Sequence, residues 1–84
     1  HANDMGARLW QGIAALPDAA LTHPAQANIV FANWETGGHD RLQAAGAIYY
    51  DLRSLPDGRE TARMVTSWNT TESHVDDFVA ALRG

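Results

Sequence analysis

The sequence predicts an α+β domain in the order α-β-α-β-β-α, a three-stranded sheet with helices on one face. Three observations carry that expectation. Apolar residues recur at helical spacing near both ends of the chain. Three short runs rich in β-branched and aromatic residues lie between them, and segments bearing glycine or proline separate the runs. The 84 residues suffice for one domain and not for two, and a content of 45% hydrophobic and 19% charged residues is that of a chain that folds.

Residues 3–16 (NDMGARLWQGIAAL) are the first expected helix, because Met5, Leu9, Ile13 and Leu16 form one stripe. Asn3 is its candidate cap, Gly6 and Gly12 weaken it by about 1 kcal/mol each relative to alanine, and Pro17 ends it. Residues 17–26 (PDAALTHPAQ), with two prolines, are expected to be a loop. The first strand is 28–34 (NIVFANW), broken by ETGG, and 39–46 (HDRLQAAG) is a short helix closed by Gly46.

The second strand is 47–52 (AIYYDL). PDGRE at 56–60 has the composition of a turn, so the third strand, 62–68 (ARMVTSW), forms a hairpin with the second. Val75, Phe78, Val79 and Leu82 define the last helix, with Thr70 or Thr71 as cap and Glu72 at its positive end. A helix joining strands one and two makes them parallel, and strand three is expected between them, antiparallel to both. The second face of such a sheet has nothing in this chain to cover it.

Composition narrows the function. The net charge is -4, and the six arginines (Arg8, Arg41, Arg53, Arg59, Arg63 and Arg83) are dispersed without an aromatic-basic stripe, which disfavours nucleic acid as a partner. No apolar run approaches the ~20 residues of a membrane span, and no targeting segment is visible. With no cysteine there is neither a disulfide nor a cysteine zinc site, and with no lysine there is no amine side chain for a Schiff base. The chain opens on His1 rather than methionine, which implies that residues upstream were removed by processing, cleavage or design.

No self-contained active site is visible. His1, His23, His39 and His74 lack metal-ligand spacing and fit loop or surface positions. Asp76 and Asp77 are adjacent on a helix, so they point about 100° apart and read as a solvated face. Ser54, Ser67 and Ser73 lack the context of a nucleophile, and Gly37-Gly38 is a turn rather than a phosphate cradle. No catalytic, metal-binding or cofactor-binding residue is therefore assigned.

Arg63 stands apart. Strand alternation sets Ala62, Met64, Thr66 and Trp68 on one side and Arg63, Val65 and Ser67 on the other. A permanently charged side chain in a central strand needs water, a carboxylate, a phosphate or several carbonyls. One reading is a strand-end arginine that reaches water or Asp51 across the hairpin. The other is a ligand contact.

A resemblance bears on the choice. HANDMGARLWQGIAALP, ANIVF, RLQAAG followed by YYD, and ARMVTSWNTTESHVDDFVAALR resemble, in that order and over nearly the whole chain, the C-terminal small domain of low-specificity L-threonine aldolases. These are pyridoxal-phosphate enzymes of fold type I. The most specific part is the R-[LM]-V-T segment leading through a threonine-rich turn into the last helix. The resemblance implies that Arg63 binds the substrate α-carboxylate in a parent enzyme that cleaves L-threonine or L-allo-threonine to glycine and acetaldehyde.

It further implies a missing pyridoxal-phosphate-binding large domain, a homotetrameric parent and a cytoplasmic location, with residues 1–84 a single C-terminal small domain that is inert alone. The Schiff-base lysine, the phosphate loop and the aspartate at the pyridine nitrogen have no counterpart in this chain. A β-eliminating lyase or aminotransferase of the same fold type, or a stand-alone interaction module gripping a carboxylate, are the alternative readings.

Overall fold

The structure is a computed structural model and describes residues 1–24 and 26–84. Ala25, within the segment expected to be a loop, lies outside the described residues. The elements are α1 (Ala2–Ala14), β1 (Ala19–Leu21), β2 (Ile29–Trp34), α2 (Gly38–Ala44), β3 (Tyr50–Leu52), β4 (Glu60–Val65) and α3 (Glu72–Arg83). The sheet has the order β1-β2-β4-β3, with every neighbouring pair antiparallel. The hairpin strand β4 therefore lies between β2 and β3 and runs opposite to both.

The sheet has four strands, not the three expected. The extra strand, β1, lies inside the segment read as a loop and pairs Ala19 with Trp34 and Leu21 with Ala32. Alanine and leucine carry little strand preference, and flanking prolines favour a loop. Residues 19–21 become a strand because the free edge of β2 offers them partners, and Thr22 N–H extends the pairing to Phe31 O at 2.9 Å.

Strand limits also shift. β3 covers 50–52 rather than 47–52, because α2 closes with a left-handed Gly46 (φ 81°) in which Ala47 N–H reaches Leu42 O at 3.0 Å and Gly46 N–H reaches Gln43 O at 3.0 Å. Residues 47–49 carry the chain from the helix layer back to the sheet edge. β4 begins at Glu60 and ends at Val65, and Ser67 is taken into a turn in which its N–H donates to Thr70 Oγ1 at 2.8 Å. Trp68, expected to continue the side of Ala62, Met64 and Thr66, is instead 84% exposed beyond the strand.

All three helices cover one sheet face. Met5, Leu9 and Ile13 from α1, Leu42 from α2, and Val75 and Leu82 from α3 bury against Val30, Ala32 and Trp34 of β2 and Ala62 and Met64 of β4. Fully burying each of the larger side chains stabilises the fold by about 1.5–3 kcal/mol, an upper bound because the unfolded chain already hides some surface.

α1 starts at Ala2, and His1 rather than Asn3 holds the cap position, without a side-chain cap bond. α3 is capped by Thr71, whose hydroxyl accepts from His74 N–H at 3.1 Å while Thr71 N–H donates to His74 Nδ1 at 3.2 Å. Gly6 is buried where α1 meets the entry to β2: a Cβ there would lie 2.5 Å from Ala27 O and 3.0 Å from Asn28 Cα. The residue that weakens the helix locally is the one that lets it approach the sheet.

Candidate functional site

β4 alternates as expected. Ala62, Met64 and Thr66 are buried on the helix side, and Arg63 and Val65 leave the sheet on the opposite face. Arg63 is flanked in register by Phe31 on β2 and Tyr50 on β3. Its guanidinium carbon lies 4.4 Å from the centroid of the Tyr50 ring. Its Nε is buried without a hydrogen-bond partner, and among the described residues no carboxylate forms an ion pair with it.

Asp51, the partner considered across the hairpin, sits opposite Ala62 instead. It is one register position from Tyr50, so its side chain leaves the sheet on the other face. The positions sharing a face with Arg63 are Ile29, Phe31, Asn33, Tyr50, Leu52, Thr61 and Val65, none of them acidic. Thr61 is occupied, donating to Arg53 O at 2.6 Å.

Arg59 lies on this face too, but it is committed to the fold. Its Nε donates to Asn33 Oδ1 at 2.7 Å and its Nη2 to Asp18 O at 3.1 Å, which ties the β1 side of the sheet to β4. Arg63 has no such employment. It is a partly desolvated planar cation on a face where Tyr50 is 58% and Val65 50% exposed. A guanidinium so placed suits a planar anion that accepts from two N–H groups, a carboxylate above all.

The larger concavity, a groove of about 720 Å³, does not include Arg63. It runs on the helix side between Ala47, Met64, Thr66, Val75 and Phe78 and reaches the sheet end at Val65. Arg63 thus faces open surface, and a ligand held there needs a second wall from outside this chain.

The four histidines are not brought together. His1 contacts Thr70 O, His23 packs edge-on to Phe31, His74 belongs to the α3 cap, and His39 Nδ1 meets the Tyr49 hydroxyl at 2.5 Å. Burial, with the negative charges of Asp51, Glu60 and Asp40, pushes the Tyr49 hydroxyl up to about 12. Among the described residues no group of three or more His, Asp or Glu could hold a metal ion. Asp76 lies on the surface in a forked pair with Arg8, Nε to Oδ1 and Nη2 to Oδ2 both at 2.9 Å, and Glu72 is 3.1 Å from Arg8 Nη1. This network links α1 to α3, and its hydrogen bond from Arg8 holds Asp76 below the usual carboxylate range. No helix among the described residues is long and apolar enough to cross a membrane.

Sequence reasoning singled out Arg63 but missed Tyr50. The YYD run was visible, yet which tyrosine faces the arginine depends on hairpin register, and a seven-residue connection from β3 to β4 leaves that open.

No family model matches the chain, and no curated protein sequence matches it significantly. Among solved structures it is similar to a threonine aldolase from Leishmania major, with a TM-score of 0.86 and 31% identity, covering 99% of this chain and 24% of that one. It is also similar in fold to a cystine C–S lyase solved with its reaction product, cysteine persulfide, with a TM-score of 0.74 and 21% identity, covering 98% of this chain and 22% of that one. The chain therefore spans about a quarter of the length of either. In fold it is a small C-terminal domain of the kind found in fold-type-I pyridoxal-phosphate enzymes, and within that fold its sequence likeness is to threonine aldolase.

Proposed function

We propose that residues 1–84 are the C-terminal small domain of a larger pyridoxal-phosphate-dependent lyase, a threonine aldolase acting on L-threonine or L-allo-threonine, and that Arg63 binds the substrate α-carboxylate. One observation carries this reading: the Arg63 guanidinium stands on the uncovered sheet face with no acid paired to it among the described residues, in the segment whose resemblance to the family implies a carboxylate-binding arginine. The match of the whole chain to a quarter of the Leishmania enzyme supports a large domain as the missing partner.

The division of labour follows from composition. A chain with no lysine has no side-chain amine to form the internal Schiff base with pyridoxal phosphate, so the cofactor belongs to the large domain. When bound there, it supplies the electron sink for cleavage of the Cα–Cβ bond into glycine and acetaldehyde. Arg63 contributes orientation. Two parallel N–H donors gripping the carboxylate leave the amino acid one rotational setting about Cα, and that setting selects the bond that breaks. The parent is assigned to the cytoplasm and to a homotetramer on the same family likeness.

The fold likeness to a cystine C–S lyase favours one second reading, a β-eliminating lyase that uses Arg63 in the same way. Kinetics on the full-length protein test both the arginine and the substrate. Arg63→Lys keeps the charge and removes the fork, so kcat/KM on the true substrate is expected to fall about ten- to a hundredfold, the equivalent of roughly 1.5–3 kcal/mol for a charged hydrogen bond in a desolvated site. Folding and cofactor content should be unaffected. An unchanged kcat/KM rejects the carboxylate role, and turnover of cystine but not threonine transfers the reading to the lyase.

A further inference from the structure

We infer that Tyr50 is the positioning residue of this site: the face of its ring sets the direction in which Arg63 presents its guanidinium to a carboxylate ligand. The inference rests on the reading of Arg63 as the carboxylate contact and adds a residue that acts through it. An arginine side chain on an open sheet has many rotamers, and that freedom must be lost before both prongs can bind together. Arginines are usually fixed by hydrogen bonds from their own nitrogens to protein acceptors, as Arg59 is here. Among the described residues Arg63 has no such bond, and its buried Nε meets no acceptor there.

What remains to orient it is packing. Tyr50 and Arg63 are cross-strand partners, and the guanidinium carbon lies 4.4 Å from the ring centroid, well inside the ~6 Å range of a cation–π contact. Phe31 occupies the matching position on the other side. With Nε covered, the accessible end of the fork is Nη1 and Nη2, so the ligand carboxylate is met end-on. The ring is 58% exposed and outside the hydrophobic core, so it is placed to serve the arginine rather than the fold.

The test is calorimetric titration of the full-length protein with glycine, and with methylamine as the same amine lacking the carboxylate. Tyr50→Leu is expected to weaken glycine binding about three- to tenfold, the scale of a partly desolvated cation–π contact, and to leave methylamine binding unchanged. Tyr50→Phe, which restores the ring face, is expected to restore glycine affinity. In the Arg63→Lys background, Tyr50→Leu should add little, because the two residues act as a unit. If melting curves show that Tyr50→Leu does not fold, Tyr50→Met removes the ring with a longer, more adaptable side chain and carries the same expectation. Tyr50→Leu binding glycine like the wild type, while Arg63→Lys is impaired, overturns the positioning role alone. A loss in Tyr50→Phe as large as in Tyr50→Leu, or an equal loss for methylamine, also overturns it. Wild-type glycine affinity in Arg63→Lys instead removes the carboxylate reading on which it stands.

Discussion

Glu60 and Trp34 are cross-strand partners at the end of the β2–β4 ladder, and the buried indole Nε1 of Trp34 donates to Glu60 Oε1 at 3.2 Å. The same carboxylate accepts from His39 N–H at 2.8 Å and from Gly37 N–H at 3.3 Å. It therefore does for α2 what a cap side chain would do, since Gly37, in left-handed conformation (φ 110°), has none to offer.

Glu60→Ala is expected to cost about 1–2 kcal/mol, combining a lost cap with an indole N–H left without its acceptor. Burial alone would raise the Glu60 carboxyl, but the N–H groups of His39 and Gly37 outweigh it, with the Trp34 indole adding to them, and hold it below its ordinary 4.5. Because the folded value is the lower one, the stabilisation is fully present above the unfolded value and is lost as pH falls through the folded one. Urea midpoints of wild type and Glu60→Gln should therefore differ at pH 7 and converge toward pH 3. A difference that does not change with pH would contradict this.

Gly6→Ala should destabilise the domain even though alanine is the better helix former by about 1 kcal/mol. The new Cβ would lie 2.5 Å from a backbone carbonyl oxygen, which cannot swing aside as a flexible side chain would, so α1 must lift from the sheet. A net loss of roughly 1–3 kcal/mol is expected by denaturant titration. A gain in stability would show that α1 does not approach the sheet so closely.

Arg63→Met should leave stability unchanged or raise it slightly, while abolishing substrate binding in the full-length protein. Among the described residues the arginine makes no ion pair and its buried Nε has no partner, and its neighbours on the face are largely apolar. An apolar chain of similar length removes the unpaired N–H and keeps the contact with Phe31 and Tyr50. A melting temperature lowered by several degrees would mean that the residue serves the fold.

Pyridoxal phosphate mixed with the 84-residue chain, reduced with borohydride and mapped by peptide mass spectrometry should label nothing except the α-amino group. The expectation depends only on the absence of lysine and holds whether or not the chain is folded. A label at an internal residue would refute it.

Much of the architecture is determined by the sequence alone. Met5, Leu9 and Ile13, then Val75 and Leu82, fall at helical spacing and are buried together, and Val30, Ala32 and Trp34 alternate as a strand with one covered face. Such periodicities are local, because a helix or strand must repeat its apolar residues to hide them. The central place of the hairpin strand also follows from connectivity, since a crossover helix makes its two flanking strands parallel.

Tertiary structure decided the rest through partners distant in the chain. Ala19–Leu21 are a strand only because β2 has a free edge. Glu60 caps a helix that begins more than twenty residues earlier, and Tyr50 rather than Tyr49 meets Arg63 because the hairpin register places it there. A register shift of one residue would send Tyr50 to the helix side of the sheet and turn Tyr49 toward the arginine. Residue type showed that Arg63 needed a partner, but only the fold showed that this chain supplies an aromatic face and no acid.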